Sequence, residues 1–328
     1  MSEADPVQSN LKQFLKEVPR GPKALETVPL SAALGRVIAD EPTAVIDDPP
    51  YSRSIMEGYA LCPSDVVSAS EAAPVTLEVV GEIRVGQDHA EGLGPGKVLR
   101  VTTGSFIPSG EYTVVRAWDV EKKGKQIVVT KPVSNHDNIE IRGEIRKKGA
   151  ILLKKGKRIG SDDVFLLASQ GITEVFVAAK PKVALFSSGD EVIPATAPFK
   201  IGAIWDCNQY GLSSLIELSG GIPLFKGIVK DDAASFQEKL KAALREADMV
   251  VISGGTAAGN RDFMAELLNA VGPPGVLING IPMRSGKPIL LGLSDKKPIV
   301  CVAGHPPEAA RGFSLFGQPT LSHLMGES

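Results

Sequence analysis

Carboxylates, bare glycine turns and a lysine gather at the ends of short apolar runs in the second half of the chain. Asp190 and Glu191 follow Ser187-Ser188-Gly189, after the run 183–186. Ser253-Gly254-Gly255 follows the run 249–252, and Gly304-His305-Pro306 follows the run 299–302. Glycine lacks the Cβ that would keep an anion away from backbone N–H groups, so these turns suit a phosphate or oxyanion. Asp190 and Glu191 are oxygen ligands suited to Mg²⁺, or a solvated turn. Asp206 and Asn208 stand just before a helix, where they either cap it or face a ligand. Asp262 opens another helix, with the same two readings. Ser285-Gly286-Lys287 sets a cation beside glycine, fit for a phosphate, or a solvated lysine. His305 has no Ser or Cys nucleophile paired with it, so a catalytic triad is not the reading.

The elements that must position these groups follow from periodicity. The runs 183–186, 249–252 and 299–302 are short, apolar and β-branched, as strands buried on both faces are. They alternate with amphipathic helices over 182–310, which predicts a doubly wound α/β domain with a crevice at its strand ends. Upstream, residues 5–18 and 31–39 read as helices. Residues 75–85, 97–103, 113–118 and 126–130 read as strands of a β-rich domain, joined by the basic turn 122–125. Ser161 reads as the N-cap of a helix to Ser169. Residues 288–293 and 299–302 read as a hairpin-like pair, and 308–316 as a last helix.

At 328 residues the chain is too long for one core. Hydrophobic residues make up 43% and charged residues 23%, the balance of a globular protein. A net charge of −2 gives no global pull toward nucleic acid or an anionic membrane. The basic residues within 147–158 lack interleaved aromatics and read as a solvated face. No apolar run approaches the ~20 residues of a membrane span. Three scattered cysteines make neither a zinc site nor a disulfide framework, and the polar N-terminus has no targeting character. Both predict a cytoplasmic protein.

Taken as an ordered set, the motifs resemble the molybdopterin molybdenumtransferase family, which includes MoeA and the gephyrin E domain. The set runs Gly-Asp-Glu at 189, Asp-x-Asn at 206, Ser-Gly-Gly-x-x-x-Gly-x-x-Asp from 253 through Gly259 to Asp262, Ser-Gly-Lys-Pro at 285, and Gly-x-Pro at 304. Upstream, 52–60 (SRSIMEGYA) resembles the family's DNSAMDGYA segment. Thr103-Gly104 with Pro108-Ser109-Gly110, and Arg142-Gly143-Glu144, resemble two further segments. The family's Asp-Asn pair is Ser52-Arg53 here, a family lysine is Arg284, and its PGNP turn is Ala303-Gly304-His305-Pro306.

The resemblance implies an α/β multidomain fold. Residues 1–48 hold the N-terminal helices and the first part of an elongated split domain, and 139–180 its second part. Residues 49–138 form an inserted β-rich domain, and 181–328 a MogA-like, molybdopterin-binding α/β domain. The family's further C-terminal β domain has no counterpart before Ser328. The implied reaction inserts molybdate into adenylylated molybdopterin with release of AMP, dependent on Mg²⁺. By matched position, Asp190, Asp206, Asp262 and Glu144 are the catalytic candidates, and Asp190, Glu191 and Asp206 the metal ligands. Ser253, Gly254, Gly255, Gly259, Asn208, Arg284, Gly286, Lys287, Gly304 and Pro306 are the cofactor-binding candidates. A homodimer is implied, with Glu57 and Glu144 reaching the partner subunit's cleft. Molybdoenzymes or other cofactor-pathway proteins are the implied protein partners. The departures at Ser52 and Ala303 motivate one alternative, a non-catalytic protein that binds or carries molybdopterin or the molybdenum cofactor.

Overall fold

A computed structural model describes residues 5–87, 92–230, 232–255, 261–281 and 289–328, with the Arg261 side chain left out. It divides into two compact units, one of Met1–Glu41 with Leu153–Ser328, the other of Pro42–Leu152.

The first unit is built on a six-stranded sheet: β1 (Lys182–Ser188), β2 (Ile222–Val229), β3 (Met249–Ser253), β4 (Pro274–Asn279), β5 (Leu290–Ser294) and β6 (Lys297–Val302). Their order across the sheet is β2-β1-β3-β6-β5-β4. The first four are parallel, while β5 and β4 run antiparallel at the edge. Alternate side chains of each parallel strand bury on opposite faces. Val183, Leu185 and Val251 enter one core with Leu11 and Phe14 of helix α1 (Pro6–Glu17) and Leu212 and Ile216 of the helix Asn208–Leu218. Ala184, Phe186 and Ile252 enter the other, with Phe236 and Leu240 from the helix Ala233–Glu246 and Met264 and Leu268 from the helix Arg261–Ala270. These helices are α3, α4 and α5, after α2 (Ser161–Ser169). The result is three layers, helix on sheet on helix. It matches the doubly wound expectation for the parallel strands and adds an antiparallel edge.

The connectivity places a crevice. From β1 the chain crosses through α3 to β2 on one side, then returns through α4 to β3 on the other. The loops leaving β1 and β3 therefore diverge, opening a gap at their carboxyl ends.

Several local expectations change. Residues 31–39 do not form a helix. A 3₁₀ turn at Leu30–Ala32 ends quickly, and Val37 and Ile38 are extended bridges to Arg158 and Val177. Gly35, at φ +75°, breaks the helical path. Helix α2 starts at Ser161 itself with Gly160 as its cap; the Asp163 carboxylate accepts from the Gly160 N–H at 2.9 Å. Strand β4 has no clear alternation and escapes a periodicity reading. The last helical segment continues past 316, through a π-helical turn Phe313–Gly317 to α7 (Gln318–Leu324), after α6 (Pro306–Gly312). No described helix is long and apolar enough to cross a membrane.

The segment after α7 is tied by a forked ion pair. Arg158 Nε and Nη2 donate to Glu327 Oε1 and Oε2 at 2.9 and 2.6 Å. The Arg158 bond holds the Glu327 carboxyl below its ordinary value, against a smaller upward push from burial. A depressed carboxyl stabilises the fold above its unfolded value of about 4.3 and loses that contribution as pH falls through the folded value. Glu327→Gln should lower stability at neutral pH by roughly 1–2 kcal/mol, a charged-bond value discounted for partial exposure. The difference from the parent should vanish in acid, which urea melts at pH 7 and pH 3 would measure.

The Pro42–Leu152 unit is a second six-stranded sheet, in the order Thr113–Arg116, Gly58–Leu61, Lys97–Val101, Val75–Ile83, Gln126–Val129, Glu121–Lys123. Apolar side chains bury on both of its faces, Leu61, Leu77 and Ile127 on one and Ile83, Val101 and Val114 on the other.

Candidate functional site

A cavity of about 850 Å³ opens at the carboxyl ends of β1, β3 and β6. Its lining includes Ser187, Ser188, Gly189 and Glu191 after β1, Ser253, Gly254 and Gly255 after β3, and Gly304, His305 and Pro306 after β6. Asp206, Cys207 and Asn208, at the start of α3, complete the polar side. The three strand ends singled out in the sequence thus share one cup.

The backbone fits only because glycine stands where it does. Gly254 has φ +97°, and a Cβ there would lie 2.3 Å from the Ser188 carbonyl oxygen. The β3 turn therefore lies directly against the β1 turn, backbone to backbone. Asn208 ties in the third turn. Its Nδ2 donates to Ser253 Oγ at 2.7 Å and to the Gly304 carbonyl at 2.7 Å. Ser253 Oγ in turn donates a hydrogen bond to the Ala303 carbonyl at 3.3 Å. One amide group thus locks the β3 and β6 turns to the N-terminus of α3. Asn208→Leu removes both bonds at nearly the same volume and leaves Ser253 Oγ short of a partner. It should destabilise the fold by roughly 1–3 kcal/mol and loosen the cup. Faster amide exchange at Gly254 and Gly304 would report that loosening.

The floor of the cup carries buried polar atoms left without partners. Asp206 is 3% exposed; its Oδ1 accepts from the Gln209 N–H at 3.0 Å. Its Oδ2 is buried with no partner among the described residues, and so are the Ser187 and Ser188 hydroxyls. Each such group costs about 1–3 kcal/mol, so three together in residues that line one cavity favour it as a place for a bound ligand. The N-terminus of α3 adds positive potential there. These oxygens fit Mg²⁺, which takes one or two carboxylates and completes its shell with water and substrate phosphates. Among the described residues no three of His, Cys, Asp and Glu form a metal-holding group.

The remaining candidates divide. Asp190 is exposed and does not line the cavity, because the Val192 N–H closes a turn onto the Gly189 carbonyl at 3.3 Å, with Asp190 at its outer corner. Asp262 lies exposed in the first turn of α5, where its charge complements the helix dipole. Gly259, Arg284, Gly286 and Lys287 lie outside the described residues. His305 Nδ1 pairs with Glu308 Oε2 at 2.5 Å. Of the cysteines, Cys207 is exposed in the cavity, while burial pushes the Cys301 thiol up and leaves it inert. Phe199, Ile204 and Trp205 also line the cup and were missed by the sequence reading. Their only signal was exposure to come: apolar residues in a stretch with no period.

Glu57 and Glu144 belong to the other unit. There the three family-like segments are knotted together. Ser54 N–H donates to the Ser105 carbonyl at 3.0 Å and Gly104 N–H to the Ser54 carbonyl at 2.7 Å. Ser52 Oγ accepts from the Arg142 N–H at 3.1 Å, so serine keeps an acceptor at that position. Glu144 accepts from the Ile141 N–H at 2.9 Å, and Glu57 pairs with Arg100 at 3.1 Å. Gly58 is required, since a Cβ would sit 1.9 Å from the Val115 carbonyl oxygen.

A three-layer α/β unit with a glycine-walled cup at its topological switch point has the architecture in which α/β proteins hold anionic small molecules. Comparison with known proteins narrows the class. Residues 5–171 match the model of the MoeA N-terminal region, domains I and II. Residues 184–323 match that of a probable molybdopterin binding domain. A molybdopterin molybdenumtransferase of Nostoc sp. is 32% identical over 304 residues, covering 92% of this chain and 70% of that protein. One from Staphylococcus aureus is 30% identical over 301 residues, covering 92% and 71%. The crystal structure of a molybdopterin biosynthesis MoeA protein from Pyrococcus horikoshii superposes with a TM-score of 0.80 at 33% identity, covering 99% of this chain and 81% of that one. The chain belongs to the MoeA family of molybdopterin molybdenumtransferases.

Proposed function

We propose that this protein is a molybdopterin molybdenumtransferase of molybdenum cofactor biosynthesis, which inserts molybdate into adenylylated molybdopterin and releases AMP. The observation that carries the reading is the cavity at the β1–β3 switch point, lined by Ser187, Ser188 and Asp206, whose buried side-chain oxygens include three with no partner among the described residues. The family match supplies the substrate class. In this reading the turns after β1 and β3 and the N-terminus of α3 hold the anionic end of the substrate. Asn208 keeps the turns in register, and Ser187 and Ser188 offer hydroxyls to the oxyanion. Asp206 and Glu191 are the residues that would hold Mg²⁺, whose charge would offset that of the substrate phosphates. Asp206 is held in place by its bond to the Gln209 N–H, so no reorganisation is needed when the cation and phosphate arrive.

The finer organisation belongs to the same proposal. The chain is divided as 1–48, 49–138, 139–180 and 181–328, works as a homodimer and acts in the cytoplasm. Sedimentation would measure the dimer. The reaction itself is tested by incubating the protein with adenylylated molybdopterin, molybdate and Mg²⁺. AMP release dependent on molybdate is the expected result. Absence of AMP above background, with folded protein, would overturn the enzymatic reading.

A further inference from the structure

Resting on that functional reading, we propose that Phe199 and Trp205 form the wall on which the pterin ring of the substrate, rather than its adenine, stacks. Between β1 and α3 the chain makes an excursion held by a small parallel ribbon, Val192–Ile193 beside Ile204–Trp205. It buries little: Ala203 is covered, while Phe199 and Trp205 keep 61% and 48% of their surface exposed. The two rings lie 5.3 Å apart between centroids at 54°, and both line the cup. Trp205 is fixed further by its Nε1–H, which donates to the Ala197 carbonyl at 2.9 Å.

This is a rigid aromatic corner left half uncovered. Aromatic side chains carry large apolar surfaces that favour burial, and a tilted pair offers one face and one edge to a planar guest. The position decides which guest. Trp205 is the immediate neighbour of Asp206, whose buried carboxylate belongs to the floor that takes the charged end. A ligand with an anionic end and a flat heterocyclic end fits a cup with a polar floor and an aromatic wall. Ring stacking of this kind is tolerant of substituents, so the wall supplies affinity while the floor supplies chemistry.

The test uses the full chain. Trp118 and Trp205 are the two tryptophans, so Trp118→Phe leaves Trp205 as sole reporter. Pterin, the ring without the dithiolene phosphate, should quench that emission saturably. Phe199→Leu and Trp205→Leu keep apolar bulk and remove the π face. Each should raise the KM for adenylylated molybdopterin and weaken molybdopterin binding by about tenfold, the scale of losing one stacked ring. Trp205→Phe should restore most of the affinity. Ile201→Ser, at a 98% exposed residue outside the lining, should leave affinity unchanged. Parental affinity in both Leu variants, with AMP still released, overturns the aromatic wall and leaves the function standing. Loss of self-association in those variants, with pterin affinity intact, also overturns it by assigning the ribbon to a second copy. Failure of the parent chain to bind molybdopterin at all overturns both readings together.

Discussion

Asp206→Asn is expected to lower AMP release roughly 10²- to 10³-fold while leaving the protein at least as stable as its parent. The first half follows from charge. Asp206 Oδ2 is a buried carboxylate oxygen in the cup with no partner among the described residues. Replacing a preorganised charged group by a neutral isostere typically removes that much transition-state stabilisation. The second half follows from desolvation. A buried carboxylate with an unmatched oxygen is held at a cost, and asparagine carries no charge to desolvate. Its amide oxygen can still accept from the Gln209 N–H, so the start of α3 is kept. Steady-state AMP assays beside thermal melts decide the matter. Turnover within threefold of the parent would remove Asp206 from the chemistry. A large drop in melting temperature would make it a structural carboxylate instead.

Gly254→Ala should be the most damaging single methyl in the α/β unit's cup. The position is at φ +97°, which costs an L-residue about 1–2 kcal/mol. The added Cβ also meets the Ser188 carbonyl oxygen at 2.3 Å, and backbone has no rotamer by which to retreat. Strain of this kind adds roughly 1–3 kcal/mol. The total, about 2–5 kcal/mol, should lower the melting temperature of that unit by roughly 5–15 °C. Molybdopterin binding should fail at temperatures where the unit is still folded, because the β1 and β3 turns must separate to admit the methyl. Gly255→Ala is the matched control. Its Cβ would meet the Met264 methyl, the movable end of a flexible side chain, so the cost is mainly that of φ +68°. Equal damage from the two substitutions would mean that the contact with Ser188 is not what matters.

The two changes probe different links of one chain of causes. Asp206 tests whether the buried charge does chemistry. Gly254 tests whether the close approach of two strand ends creates the space in which it acts. Three buried oxygens at a single cavity with no partner among the described residues hold that site ready at a cost to stability.

The sequence by itself determined the strands that matter. Runs such as 183–186 and 249–252 are apolar at every position, and only a strand covered on both faces can bury such a run. Glycine and serine after each run marked the strand ends, and α1, α3, α4 and α5 announced themselves by period. The order of the motifs also sufficed for the family. Periodicity did not reach β4, whose side chains are half-buried on an edge, or the stretch 31–39, where Gly35 turns the chain. Tertiary structure alone decided which candidates share the cup. Asp206 enters because the N-terminus of α3 is carried over the β1–β3 gap, whereas Asp190, next to the same strand end, is turned outward at a corner. The aromatic wall was equally hidden, because Phe199 and Trp205 are six residues apart in an aperiodic excursion and meet only through a two-rung ribbon. Local pattern reports which face of an element is buried; it carries no information about which loops the sheet's winding brings together.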